Sequence, residues 1–99
     1  MFAYKVTIEN NTDKAIKLLK RHWNIFDSIG EFREVDGIGV VGKQPILEPM
    51  EVHQYVSGCN LKSEIGRMYG DYLMERVEDG KNFRAMIPQF ELVAPLKLN

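Results

Sequence analysis

Gly37-Ile38-Gly39-Val40-Val41-Gly42 has the spacing G-x-G-x-x-G, and Lys43 follows it directly. Glycines so spaced let backbone N–H groups close on a phosphate. In dinucleotide-binding folds the N-terminus of a following helix holds the pyrophosphate. Here Gln44-Pro45 comes next, with Pro49 soon after. Proline removes a backbone donor and blocks a helix interior, so no helix starts at this point. A phosphate bound here would be held by a loop nest of backbone amides, helped by Arg21, Arg33 or Lys43. The competing reading is that the glycines permit turns, bulges or a close approach of strands. Without its strand–helix setting the motif favours that competing reading.

Arg21-His22-Trp23 is the second group with chemical potential. Arg21 could grip a phosphate with two parallel N–H donors, and His22 titrates near neutral pH. On a strand, Arg21 and Trp23 share one face and His22 points to the other. Trp23 reads as a core anchor, and His22 stands evenly between a functional proton carrier and a structural hydrogen-bonding group. The phosphate or nucleotide candidates are therefore Gly37, Gly39, Gly42, Lys43, Arg21 and His22. His22 and His53 are the only histidines, and Asp27, Glu34, Asp36 and Glu51 could add oxygen ligands. No pair has a recognised metal-ligand spacing, so no metal and no cofactor is expected. Cys59, placed in a polar loop, and Ser57 lack a readable base and acid. No catalytic residue is assigned.

These groups must be positioned by a chain of 99 residues, with 27% charged residues and a net charge of −1. That length makes one domain, and the charge gives no basic footprint for nucleic acid or a membrane surface. One cysteine excludes an internal disulfide framework. No apolar run approaches the about 20 residues of a membrane helix, and the N-terminus carries no signal-peptide pattern. The expected location is the cytoplasm.

Phe2, Tyr4, Val6 and Ile8 alternate with Ala3, Lys5, Thr7 and Glu9, the period of a strand with one buried face. Residues 15–27 fit a helical stripe or a strand; the β-prone Trp23-Asn24-Ile25-Phe26 favours strand, with Leu19, Trp23 and Ile25 on one face. Asp27-Ser28-Ile29-Gly30 reads as a hairpin turn. Strands follow at 31–35, at a proline-bounded edge around Ile46-Leu47, and at 52–56. Residues 57–66 read as a polar loop. Met68, Tyr72 and Met74 lie on one side of the next strand. Asp79-Gly80 is a hairpin signal, and Phe83, Ala85 and Ile87 continue beyond it. Pro88 marks an edge or bulge, after which Phe90, Leu92 and Val93 resume the strand. Six or seven short strands predict an all-β, immunoglobulin-like or fibronectin type III-like antiparallel β-sandwich.

Five segments in order carry a resemblance. They are Arg21-His22-Trp23-Asn24-Ile25-Phe26-Asp27, Val35 through Pro45, Tyr55-Val56-Ser57-Gly58, Gly66-Arg67-Met68-Tyr69-Gly70-Asp71-Tyr72, and Ile87-Pro88-Gln89-Phe90-Glu91-Leu92. Together the chain resembles the ApaG family over essentially its whole length. The resemblance implies a fibronectin type III-like sandwich in a bacterial cytosolic protein with no established reaction. It also implies a link to cobalt and magnesium tolerance and a pyrophosphate role proposed for the glycine motif. Two departures stand out. The family's first strand is expected to be missing, which would leave a strand edge open to another chain or a second copy. Met50 also stands where the family has glycine, which removes freedom at positive φ from that turn. The functional expectation is a non-catalytic module that binds a protein partner. The alternative is a pyrophosphate or nucleotide binder using Gly37–Gly42.

Overall fold

The computed structural model describes residues 2–93 as seven strands. They are β1 (Phe2–Glu9), β2 (Ile16–Asp27), β3 (Phe32–Ile38), β4 (Ile46–Leu47), β5 (Val52–Cys59), β6 (Ile65–Arg76) and β7 (Asn82–Val93). β1 and β5 pair to form a two-stranded sheet, and the other five form the second sheet in the order β3-β2-β6-β7, with β4 also on β2. All the pairings are antiparallel. The chain is an antiparallel β-sandwich, as its alternation predicts. The side chain of Val93, expected to pack with Phe90 and Leu92, lies outside the described residues, as do Met1 and residues 94–99.

The core has two lobes. Trp23, Ile25, Cys59, Met68 and Leu92 form one. Ile16, Leu18, Val40, Leu47, Tyr55, Tyr72 and Met74 lie in the other, beside Ile8. A bulge links the two lobes. The β2–β6 register shifts between Leu18 and Lys20, so even-numbered Ile16 and Leu18 face inward before it, and odd-numbered Trp23 and Ile25 after it. Leu19, expected on the same face as Trp23, is instead the extra residue of the bulge and only half-buried. Pro88 lies where the sequence places it, on an edge strand at a bulge: the β6–β7 register shifts between Met68 and Gly70, so three steps on β7 match two on β6.

Three expectations are corrected. Residues 57–59 are not loop but the end of β5, because Ser57, Gly58 and Cys59 pair with Tyr4, Ala3 and Phe2; Ile65 and Gly66 already belong to β6. Cys59 is consequently buried rather than lying in a polar loop. Met50 adopts φ = 69°, so the turn keeps its left-handed residue despite the side chain, at a cost of about 1 kcal/mol.

Two sets of buried polar side chains are satisfied within the protein. The Tyr55 and Tyr72 hydroxyls, one from each sheet, hydrogen-bond to one another in the core. Burial raises the pKa of both, so they stay neutral and each can serve as the other's donor or acceptor. Asn10 is buried and its amide donates to Lys14 O (2.8 Å) and Leu47 O (3.0 Å), fixing the turn after β1. Removing one hydroxyl strands its partner, whereas removing both leaves two apolar rings. Tyr72→Phe should therefore lower stability by about 1–3 kcal/mol, while Tyr55→Phe/Tyr72→Phe together should cost less than the two single changes summed. Urea unfolding of the four proteins checks this; strict additivity would refute the pairing.

Candidate functional site

The glycine segment occupies a jog along one edge of β2. β3 pairs with that edge up to Ile38 opposite Lys20, and β4 resumes on the same edge with Leu47 opposite Ile16. From Lys20 to Ile16 is 20 − 16 = 4 residues, while from Ile38 to Leu47 is 47 − 38 = 9. The surplus must leave the sheet, and residues 39–45 form that excursion. It is stapled at the bulge: Gly39 N–H donates to Leu19 O (2.8 Å), Leu18 N–H donates to Pro45 O (3.1 Å) and Gln44 Nε2 donates to Leu19 O (3.1 Å).

Within the excursion, Val40 and Lys43 exchange two backbone hydrogen bonds of 2.8 and 3.0 Å. The two residues between them, Val41 and Gly42, have φ of 48° and 75°, the pattern of a type I′ hairpin turn. The backbone amides of Gly39, Val40 and Lys43 thus donate inside the protein. Gly39 has φ = 62°, and a Cβ there would collide with the backbone carbonyl of Lys43. Gly37 lies in β3, with the Arg21 guanidinium directly over it where a Cβ would be. Arg21 Nη1 donates to Ile38 O (3.2 Å) and Gly39 O (2.9 Å). The excursion is braced by Arg21 from below and pinned to β2 at its base.

The structure brings Arg21, Gly37 and Gly39 together. Gly42 and Lys43 lie in the turn beyond. His22 is on the opposite, outer face of the sheet, opposite Asp36 on β3 and Asp71 on β6. Its Nδ1 is 2.6 Å from Asp36 Oδ1, and Asp71 accepts from Arg84 Nη1 at 2.8 Å. The Asp36 hydrogen bond holds the imidazole pKa above the ordinary 6.5. Among the described residues no group of three His, Cys, Asp or Glu side chains is arranged to hold a metal.

Sequence reasoning missed a cleft between the two sheets, of about 330 Å³. Trp23 and Val35 form its floor, Ser57 and Gly58 of β5 its rim, and Arg21 and Arg33 also line it. Arg33 reaches across to the end of β5: its Nη2 donates to Asn60 O, just past the strand, and lies 3.4 Å from Cys59 Sγ. Trp23 is 2% exposed and its Nε1–H is buried without an acceptor among the described residues. Arg21 and Arg33 stand twelve positions apart in the chain, and the β2–β3 register brings both into this one cleft.

Two outcomes follow from this geometry. Val41 is 59% exposed, so its side chain gains little from packing while its left-handed backbone is strained. Val41→Asn creates the Asn-Gly pair that a type I′ turn favours and should stabilise the fold by about 1 kcal/mol, read as a rise of about 4–8 °C in Tm. An unchanged or lower Tm would contradict the turn assignment. The second concerns His22. Because its folded pKa is raised, its contribution to stability is complete below the unfolded value of 6.5 and fades as pH rises through the folded value. An NMR titration should place His22 above 6.5 and Asp36→Asn should lower it; no change in the variant would exclude Asp36 as the cause.

Comparison with known proteins agrees with the geometry. The family model described as the ApaG domain matches residues 1–76. Protein ApaG of Dechloromonas aromatica (strain RCB) is 48% identical over 99 residues, covering all of this chain and 77% of the relative. Protein ApaG of Methylorubrum populi is 50% identical over 94 residues, covering 95% of this chain and 72% of the relative. A crystal structure of a Bordetella pertussis protein described as ApaA superposes with a TM-score of 0.89 at 40% identity, covering 96% of this chain and 76% of that one. No helix among the described residues is long and apolar enough to cross a membrane. By family model, relatives and fold alike, the chain belongs to the ApaG family.

Proposed function

We propose that this domain is a non-catalytic binding module that accepts an extended segment of a protein partner on an open strand edge. The observation that carries the reading is the two-stranded sheet. Among the described residues β1 and β5 pair only with each other, so each has one unpaired edge eight residues long. An unpaired edge presents a row of N–H and C=O groups ready to add a strand. The outward face of the sheet is mixed, with Lys5 and Glu9 of β1 opposite the exposed Val56 and Val52 of β5 and with Gln54 between those two valines. The described residues place no nucleophile beside a base and an orienting acid: the histidine–carboxylate contact is His22 with Asp36, on the outer face.

The alternative, a pyrophosphate or nucleotide held at Gly37, Gly39, Gly42 and Lys43, has less support. Three amides of that segment already donate within the protein, and Arg21 Nη1 is committed to two carbonyls. A link to divalent cations rests on family resemblance alone.

The test is selection of binders from a random peptide display library, followed by amide hydrogen exchange of the protein with each selected peptide. Strand uptake predicts slowed exchange along β1 or β5, and loss of binding when the peptide backbone is N-methylated at alternate residues. Binders that all map to the outer face of the five-stranded sheet, or saturable pyrophosphate binding that Lys43→Ala weakens, would reject the reading.

A further inference from the structure

We infer that the strand-accepting edge is that of β5 and that its ligand is an extended segment with an acidic–apolar–acidic pattern at alternate positions. The inference rests on the reading of the domain as a strand acceptor and adds where the strand lies and what it carries. β1 lies toward β7, with Tyr4 and Phe90 ring centroids 5.8 Å apart. β5 therefore has its free edge on the other side, over β2 and β3, and Ser57 and Gly58 of β5 form the rim of the inter-sheet cleft. A strand added there turns every second side chain down into the cleft.

The floor it meets has a regular order. Along the β2–β3 ladder, Arg21 is paired with Gly37, Trp23 with Val35, and Ile25 with Arg33. The two guanidinium-bearing rows flank the Trp23–Val35 row, one two residues before it and the other two residues after. They are separated by four residues, roughly 13 Å along the strand. Among the described residues no carboxylate lines the cleft and neither arginine makes an ion pair. Each arginine keeps N–H donors beyond those that bind carbonyls, which come from Nη1 in Arg21 and Nη2 in Arg33. An inward Glu or Asp at position i, an apolar residue at i+2 and a second acid at i+4 answer this floor, with the apolar residue over Trp23 and Val35. The pattern reads the same in both directions, so it serves a parallel or an antiparallel strand.

Trp23 is the single tryptophan and reports occupancy by its fluorescence. Three peptides of the length of β5, eight residues, carry Glu-x-Ile-x-Glu, Gln-x-Ile-x-Gln or Lys-x-Ile-x-Lys. They are titrated into the wild-type protein and into Arg33→Gln and Arg33→Lys. Arg21 is left intact because it braces the glycine segment. At low salt the Glu peptide should bind about tenfold more tightly than the Gln peptide, and the preference should shrink as salt screens the charges. Arg33→Gln should reduce it to about threefold, with Arg33→Lys between. Amide exchange should slow along β5 and not along β1. Equal binding of the Glu and Gln peptides with β5 protected would overturn the acid preference and leave strand uptake standing. Protection of β1 alone, or no protection by any of the three peptides, would overturn the choice of β5; display binders that avoid both edges would remove the underlying reading as well. A dimer in sedimentation with β5 protected in the protein alone would make a second copy the occupant. Competition by inorganic pyrophosphate at matching affinity would make the cleft a small-anion site, and either result overturns the proposal.

Discussion

The long antiparallel ladder between β2 and β6 sets what every other element can do. Its register runs from Ile16 opposite Arg76 to Asp27 opposite Gly66. These two strands supply Leu18, Trp23, Met68 and Met74, all nearly or fully buried. Each also offers its second edge, β2 to β3 and β4 and β6 to β7. The bulge at Leu19 lets a single strand serve two core lobes, since it shifts the inward set from even to odd residues. A one-residue slip would turn each such set to solvent. The ladder is therefore held by side chains at both ends and by the twist that the bulge adds in the middle.

The glycine segment follows from that bulge. A chain continuing along the β2 edge meets an interruption at Leu18-Leu19-Lys20, leaves the sheet, and returns as β4. Gly39 gives the left-handed turn and the close approach to Lys43, and Gly37 gives the room for Arg21. A motif with a phosphate-binding spacing thus has a full account as sheet carpentry. The unusual chemistry lies one layer inward, where Arg21 and Arg33 flank Trp23 beneath an unpaired edge.

Much of the sandwich was legible because alternation is a local signal. β1, the inward faces of β6 and β7, the Asp79-Gly80 turn and the edge character of Pro88 all follow from period, turn chemistry and proline's missing donor. The Leu19 bulge was not legible, because inserting one residue changes the phase without changing composition. Ser57-Gly58-Cys59 looked like loop on propensity, yet pairing with Phe2, Ala3 and Tyr4 draws it into β5, a tertiary effect on weak β-formers. Gly39 at positive φ is what a glycine there suggests, whereas Val41 and Met50 in the same region of backbone space cannot be read from their side chains. The cleft was invisible because Arg21 and Arg33 come to line one cleft only through the β2–β3 register.

The β2–β6 ladder also governs time. Its partners stand between 66 − 27 = 39 and 76 − 16 = 60 residues apart. Closing so long a loop precedes any reward from the contacts it permits, which slows folding. On the ribosome β2 emerges well before β6, so for that interval it has only β3 and the two-residue β4 on one edge to hold it. Its other edge, destined for the centre of the sheet, is open throughout. The strand most protected in the finished domain is the one that waits longest for its partner, and aggregation competes with folding during that wait.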